Sequence, residues 1–178
     1  MTDEKWMRLL RKHPQFIIRK PKNHDYSCSN ACAVLVAQPQ LAPYFDLKEW
    51  NRLELGFNWA KLLSHRPQLA DQCNFSVIKA RAATNLLKKQ PQFFDKIPLE
   101  TLWAYHWPEL FRWQPQLEKK MLAKPRCEWP FNFGVHALQY HPELDVEFSD
   151  WNEIEDQDIP DFKRAQPEMY KRHWTENT

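Results

Sequence analysis

Three residues near the N-terminus have the types and the spacing that could bind a metal ion. His24, Cys28 and Cys32 follow one another at intervals of four residues, so they would share one face of a helix. Imidazole and thiolate are ligands that zinc accepts, but a closed zinc site needs a fourth ligand. No C-x-x-C or H-x-x-x-H pair stands nearby, so small packed side chains are the alternative. The sequence predicts no metal and no other cofactor.

Five histidines could be assembled into acid–base pairs: His13, His65, His106, His136 and His141. They are not accompanied by a Ser-His-Asp order, an H-E-x-x-H motif or a nucleophile elbow. His13 and His141 each stand directly before a proline, at positions where equivalent segments carry glutamine. The sequence therefore predicts no enzyme and no catalytic residue.

A repeated motif accounts for most of the chain. Proline, then Gln or Glu, then an apolar residue recurs at intervals of 24–28 residues, at Pro14, Pro39, Pro67, Pro91, Pro115, Pro142 and Pro167. The positions eight, five and four before these prolines are mostly apolar, which is one face of a helix with 3.6 residues per turn. Because a unit this short cannot bury its apolar face alone, we expect an all-α, short-repeat α-solenoid of helix pairs. The array would span residues 1–174, with a polar tail at 175–178.

Each repeat should contain a first helix of roughly nine residues that ends just before the proline. The residue before proline is forced out of helical geometry, and proline then suits the start of a second, shorter helix, as at Pro67 and Pro115. We expect Asn30, Asn58 and Asp158 to be N-caps of first helices. Pro108 is out of phase with the repeat and should tilt or shorten the helix that contains it.

The third repeat carries a resemblance to a known group of sequences. From Asn58 to Ile78 it reads NWAKLLSHRPQLADQCNFSVI. This resembles the tandem unit W-x-x-L-L-x-x-x-P-Q-F/L-A-D-x-C-x-W/F-x-x-L of bacterial hypothetical proteins, often from gut-associated bacteria. The resemblance covers the chain from about Trp6 to Met169, although the other repeats keep only the Leu-Leu and Pro-Gln core. It implies a repeat architecture and no defined activity.

Composition narrows the class of protein further. The 178 residues carry 25 Lys and Arg against 23 Asp and Glu, so the net charge of +2 lacks the basic excess of a general nucleic-acid binder. Only Gly56 and Gly134 are glycines, which argues against a glycine-rich phosphate loop. No apolar run is long enough for a membrane span or a signal peptide, and the four cysteines are most simply reduced thiols. We expect a cytoplasmic protein.

The glutamines that follow the repeat prolines are the most regular polar feature. An exposed ladder of identical amides could read a repetitive ligand, as helical repeats that bind one base per unit do. A glutamine in the first turn of a helix could instead bond free backbone N–H groups, or bridge to the next repeat. The members considered as a partner surface are Gln40, Gln68, Gln92 and Gln116.

Three tryptophans lie outside the repeat's inner column: Trp103, Trp113 and Trp129. They could be exposed anchors for a partner, because aromatic residues dominate binding hot spots, or they could cover wider grooves made by the longer connectors. We expect a non-enzymatic scaffold that presents a repeat surface to a protein partner. The alternative is a nucleic-acid-binding array that uses basic side chains such as Lys79, Arg81, Lys88 and Lys89.

Overall fold

The computed structural model describes residues 2–19, 27–141, 159–165 and 167–171. The α-helices are α1 (Asp3–Lys12), α2 (Cys28–Ala37), α3 (Leu47–Arg52), α4 (Gly56–His65), α5 (Ala80–Lys89), α6 (His106–Trp113), α7 (Pro115–Leu122), α8 (Phe131–Tyr140), α9 (Ile159–Ala165) and α10 (Pro167–Tyr170). Short 3₁₀ helices span Pro14–Arg19, Pro39–Tyr44, Pro67–Gln72, Phe75–Val77, Pro91–Lys96, Leu99–Thr101 and Arg126–Glu128. These ranges contain no β-strand, and the predicted all-α fold is confirmed.

The break before each repeat proline has the same backbone geometry throughout. The residues concerned have φ between −129° and −136° and ψ between 66° and 73°; they are His13, Gln38, Arg66, Gln90, Gln114 and His141. The ring of the following proline excludes the α conformation here, so the first helix ends at each of these positions. The predicted break is confirmed for these six repeats. Pro142, which follows His141, lies outside the described residues.

The predicted second helices are present and are of two types. In the first four repeats they are 3₁₀ helices of six residues, including Pro39–Tyr44 and Pro67–Gln72, whereas α7 after Gln114 is α-helical. A tighter helix is common in pieces this short, and Pro43 inside Pro39–Tyr44 cannot donate to an α-helical ladder. Proline does open each of them, as expected.

Two of the three predicted N-caps were wrong, and Asp158 lies outside the described residues. The N-cap of α2 is Ser27, whose hydroxyl accepts a hydrogen bond from the backbone N–H of Asn30 at 3.3 Å. In α4 the N-cap is Leu55, and Asn58 lies in the first turn. Both helices are ten residues long, so they begin earlier than the periodicity of the apolar residues indicated.

Pro108 shortens its helix as expected. Helix α6 has eight residues, whereas α1, α2, α4, α5 and α8 each have ten. Pro108 is the third residue of α6, in the first turn, where a backbone N–H has no partner within the helix. The helix therefore begins late but is not broken.

The chain divides into two compact bodies, Met1–Pro98 and Leu99–Thr178. In the N-terminal body the first helices pack in chain order, α1 on α2, α2 on α4 and α4 on α5. Their paired apolar positions are fully buried, as in Leu62 and Leu63 of α4 and Leu86 and Leu87 of α5. In the C-terminal body α6 contacts α7 and α8, and α8 contacts α9. A single array over residues 1–174 stays a prediction, and the tail at 175–178 lies outside the described residues.

Glycine is required at the start of α4 because another backbone segment approaches it closely. A Cβ atom on Gly56 would lie 2.1 Å from the carbonyl oxygen of Val77 and 3.2 Å from the Cα of Ile78. These are main-chain atoms, so the neighbouring segment would have to move as a whole.

We expect Gly56→Ala to lower the free energy of unfolding by about 2 kcal/mol, the typical cost of overpacking a core. An unobstructed Gly→Ala change in a helix would instead stabilise the protein by roughly 0.5–1 kcal/mol. Urea denaturation followed by circular dichroism at 222 nm measures the sign. Asn85→Ala, at an exposed position of α5, is the control, and a stabilised Gly56→Ala variant would contradict the close approach.

Candidate functional site

The first helices carry a column of residues that differs between repeats and that faces solvent in the N-terminal body. It consists of the positions ten, six and two before each proline, which are four residues apart and so share one helix face. We call this column the outer stripe. The outer stripes of repeats 3 and 4 are exposed along their whole length and comprise Phe57, Lys61 and His65 on α4, and Arg81, Asn85 and Lys89 on α5.

Helices α4 and α5 run parallel and in register. The start of α4, at Gly56, lies against Val77 and Ile78, just ahead of α5. Beyond the end of α5, the side chain of Gln90 reaches the carbonyl oxygen of Ser64, near the end of α4. The first residues of α4 and α5 therefore lie at the same level, and so do their last residues.

A groove of about 440 Å³ runs between these two helices. Its sides are formed by Phe57, Lys61 and His65 from α4 and by Asn85, Lys88 and Lys89 from α5, with Ala60 and Ala82 among the smaller lining residues. We call it the α4–α5 groove. Phe57 is 64% exposed, so its ring is available to a ligand in the groove. The groove thus combines an aromatic group with cationic side chains.

The charge on these helices has one sign. Neither Gly56–His65 nor Ala80–Lys89 contains an acidic residue, whereas together they carry Lys61, Arg81, Lys88 and Lys89. Lys88 and Lys89 lie in the last turn of α5, where the helix dipole favours a cation. Arg81 lies in the first turn, where the dipole disfavours one, and Lys61 is in mid-helix. Helix stability alone therefore does not account for the cations at the groove.

The residue before each proline forms a ladder between repeats of the N-terminal body. Gln38 Nε2 donates to the carbonyl oxygen of Arg11 at 2.9 Å, and Arg66 Nε donates to that of Val36 at 2.7 Å. Gln90 Nε2 repeats the contact with Ser64 at 3.1 Å. Every acceptor is three positions before its own proline, in the last turn of a helix, where carbonyl groups lack intrahelical partners. The ladder thus caps one helix with the side chain of the next repeat.

The glutamine after the proline supports this ladder by orienting the one before it. Gln40 Nε2 donates to Gln38 Oε1 at 2.7 Å, and Gln92 Nε2 donates to Gln90 Oε1 at 2.7 Å. Gln116 makes the same bond to Gln114 in the C-terminal body. The side chains of Gln40, Gln68, Gln92 and Gln116 are all exposed. The glutamines after the prolines therefore bond within their own repeat and only indirectly support the bridge between repeats. Their contact with a partner stays a prediction.

We expect Gln90→Met to lower the free energy of unfolding by about 1 kcal/mol, because the carbonyl group of Ser64 loses its capping hydrogen bond. Gln68→Met is the matched control. The residue two positions before Gln68 is Arg66, whose side chain has no acceptor atom, so Gln68 cannot make the bond that Gln40 and Gln92 make. Its effect should stay within about 0.5 kcal/mol. Equal losses in urea denaturation of the two variants would contradict the ladder.

The C-terminal body exposes an aromatic pair on a turn with fixed geometry. Trp103 is 46% exposed and Tyr105 61%, and their ring centroids are 6.0 Å apart. The backbone N–H of Trp103 donates to Nδ1 of the buried His106 at 3.0 Å, and the N–H of His106 donates to the Trp103 carbonyl at 2.9 Å. The Tyr105 and His106 rings lie 4.3 Å apart. The turn therefore holds both exposed rings in place.

The other two tryptophans of interest have different environments. Trp113 is 65% exposed at the end of α6 and belongs to the outer stripe of the fifth repeat, as Tyr105 does. Trp129 is partly buried: its Nε1 donates to the carbonyl oxygen of Lys124 at 3.2 Å, and its ring meets Phe133 edge-on at 4.9 Å. Trp113 is thus available at the surface, whereas Trp129 contributes mainly to packing.

Two histidines of the C-terminal body meet at one carboxylate. Glu118 Oε1 lies 3.1 Å from His141 Nε2 and 3.4 Å from His136 Nε2. His136 is buried, with its ring between Phe111 at 5.2 Å and Tyr140 at 4.7 Å. Burial lowers the pKa of His136 to about 4, against an opposing effect of Glu118. A histidine enclosed by aromatic rings is poorly placed to exchange protons with a substrate.

Two of the four cysteines, Cys32 and Cys73, lack the properties of metal ligands or nucleophiles. Cys32 is buried, its Sγ donates to the carbonyl oxygen of Asn58 at 3.5 Å, and burial raises its pKa to about 11. Burial raises the pKa of Cys73 to about 12. Both are therefore held as thiols, whereas a metal ligand or nucleophile is a thiolate. Within the described residues no three His, Cys, Asp or Glu side chains are grouped to hold a metal ion, and His24 is not among those residues.

Sequence reasoning missed Phe57, Lys61 and Tyr105. It aligned the recurring columns of the motif, which are core and ladder positions. It considered Arg81, Lys89 and Trp113 singly and did not identify the outer stripe to which they belong. The absence of any acidic residue in Gly56–His65 and Ala80–Lys89 was a readable signal. The sequence alone does not show the register in which these two helices pack side by side.

None of the helices in the described ranges is long and apolar enough to cross a membrane. We also compared the chain with protein-family models, with curated proteins and with solved structures. These three comparisons found no match, so the site must be judged from its own geometry.

Proposed function

We propose that this protein is a non-enzymatic interaction scaffold whose repeat surface binds a protein partner. The observation that carries the proposal is the exposed pair Trp103 and Tyr105, held on a turn by the buried His106. The proposal includes no cofactor and no metal. All four cysteines are free thiols, which supports action in a reducing compartment, the cytoplasm.

A fixed pair of exposed aromatic rings favours binding for two physical reasons. Tyrosine and tryptophan provide large apolar areas with a polar group and are enriched at the centres of interfaces. An immobilised side chain also loses little conformational entropy on binding, which otherwise costs roughly 0.5–1.5 kcal/mol for each side chain ordered. Trp103 and Tyr105 satisfy the first condition, and the hydrogen-bonded turn restricts the backbone that carries them.

Site-specific photocrosslinking in the source cell tests this proposal. The photoreactive residue p-benzoylphenylalanine replaces Trp103 or Tyr105 in the full chain, and Leu53, exposed on the turn after α3, serves as the control position. We expect a discrete, protease-sensitive adduct from positions 103 and 105 that is absent at 53. The double substitution Trp103→Ser/Tyr105→Ser should also abolish copurification of the same protein. Adducts no stronger than at Leu53 would overturn the proposal.

Nucleic-acid binding is the second candidate because Lys61, Arg81, Lys88 and Lys89 lie on two neighbouring helices without an acidic residue. Against it, Lys79 is paired with Glu54, with Nζ and Oε2 3.3 Å apart, so the cationic strip is interrupted beside α5. Retention on single-stranded RNA across a salt series separates the two functions. A log–log slope of several charges would favour the nucleic-acid function.

A further inference from the structure

We propose that the α4–α5 groove binds an acidic, helical segment of a partner protein, with an apolar side chain of that segment against Phe57. This inference rests on the proposed scaffold function and adds the chemistry of the partner. The α4–α5 groove lies in the N-terminal body, in a different part of the chain from Trp103 and Tyr105.

Charge complementarity identifies the ligand as anionic. Lys61 lines the groove from α4 and Lys89 from α5, and no acidic side chain is among the described residues that line it. Arg81 extends the same outer stripe beyond Asn85 to the end of the groove at which Phe57 stands. Cations on both walls of a concave surface attract carboxylates and repel other cations. The groove therefore selects an acidic ligand.

The dimensions of the groove favour a peptide over a nucleic acid. Each wall is a helix of ten residues, about 15 Å long at 1.5 Å per residue, which matches three turns of a docked helix. A nucleic-acid strand would need cations that continue along its backbone. At the Phe57 end the next charged groups are Glu54 and its partner Lys79, so an acidic side chain stands where the strand would have to continue.

Phe57 provides the apolar anchor and fixes the order of contacts. It stands one helical turn, about 6 Å, from Lys61 and about 12 Å from the level of His65 and Lys89. A helical ligand lying along the groove would therefore place one apolar residue near an end and acidic residues about four and eight positions away. The outer stripe of repeat 2 consists of Ser29, Ala33 and Ala37, which offer neither charge nor an aromatic ring.

Fluorescence anisotropy with a defined probe tests this inference on the full chain. The probe is a fluorescein-labelled 16-residue helical peptide with one phenylalanine and with glutamates four and eight residues from it. Three further probes are the same residues in scrambled spacing, the same peptide with lysine for glutamate, and a 20-nucleotide oligouridylate. We expect the acidic peptide with the designed spacing to bind best.

Matched variants locate the binding. Lys61→Glu/Lys89→Glu should weaken the acidic peptide at least about tenfold by reversing charges that contact it. Phe57→Ala should weaken it roughly threefold to fivefold through lost apolar contact. The controls are Lys5→Glu/Lys12→Glu, with the same change in net charge on exposed positions of α1, and Leu53→Ala. Both controls should stay within about twofold of wild type.

Three results would overturn the inference. One is no binding of the acidic peptide at millimolar concentration, and another is equal weakening by Lys61→Glu/Lys89→Glu and Lys5→Glu/Lys12→Glu. The third is tighter, salt-dependent binding of oligouridylate that the groove variants abolish, which would make a nucleic acid the occupant. The photocrosslinks at Trp103 and Tyr105 report separately on the scaffold function, so a failure of the groove proposal is distinguishable from a failure of the scaffold proposal.

Discussion

Trp59→Ala should lower the free energy of unfolding by about 4 kcal/mol, within the usual range for removing a large buried aromatic side chain. Trp59 is fully buried in α4 and meets Trp50 of α3 edge-on, with ring centroids 5.5 Å apart. A loss of this size is a large share of the total stability of a typical domain, about 5–15 kcal/mol. Urea denaturation followed by circular dichroism measures it, and the variant should be partly unfolded at 37 °C.

Two further variants test whether the loss of stability in Trp59→Ala comes from the cavity that the missing ring leaves. Trp59→Phe should cost much less, because the indole N–H of Trp59 has no hydrogen-bond partner within the described part of the chain and phenylalanine keeps most of the ring. Trp113→Ala removes an exposed tryptophan and should change the stability by less than about 0.5 kcal/mol. Comparable losses for Trp59→Ala and Trp113→Ala would refute the assigned packing.

The size of this effect follows from an alternation that runs along the repeat. The position eight before the proline is large in one repeat and small in the next, in the order Trp6, Ala31, Trp59, Ala83, Trp107 and Gly134. In the N-terminal body the ladder keeps equivalent positions of neighbouring helices level. Trp59 therefore has an alanine at the equivalent position on either side, in α2 and α5, and neither alanine can fill the space that truncating Trp59 leaves.

The periodicity of Leu, Pro and Trp was enough to predict an all-α repeat and its burial pattern. Leu62, Leu63 and Trp59 are buried as the helical face requires, and the pre-proline residues break each helix. These features depend on local sterics and on the spacing of apolar residues, which a single sequence contains. The two compact bodies could not be predicted, because a division after Pro98 depends on contacts between repeats.

The features that sequence reasoning missed depend on register between helices. Gln38 was expected only to break a helix, yet its side chain bonds the carbonyl oxygen of Arg11, 27 residues earlier. The α4–α5 groove likewise exists because Lys61 and Lys89 come from helices that start and end level. Trp103 and Trp113 were identified as anchor candidates, and both are exposed, but Tyr105 beside them was overlooked. The spacing of residues along the sequence does not show which residues of different helices lie side by side.

Acidification should weaken the fold through His136. Burial lowers the pKa of His136 to about 4, well below the value of 6.5 expected in the unfolded chain. Its Nδ1 is buried without a hydrogen-bond partner among the described residues, so a proton added there would meet no acceptor. Glu118 opposes the shift, and the nearby His141 reinforces it.

The sign of the effect follows from where the proton binds. Above pH 6.5 His136 is neutral in both states, so its contribution to stability is fully present. Between pH 6.5 and 4 the unfolded state takes up the proton and the folded state does not, so stability falls with falling pH. The total loss should be roughly 3 kcal/mol at 1.36 kcal/mol per pKa unit.

Urea denaturation at pH 7.5, 6.5, 5.5 and 4.5, for wild type and His136→Phe, isolates this contribution from that of the carboxylates. Phenylalanine suits the aromatic surroundings of Phe111, Phe133 and Tyr140, and it removes the titrating group. The decline between pH 6.5 and 4.5 should be shallower in His136→Phe, and His65→Gln, at an exposed position of α4, should decline as wild type does. Identical slopes in wild type and His136→Phe would show that His136 is protonated at the same pH in both states, contrary to the lowering of its pKa by burial.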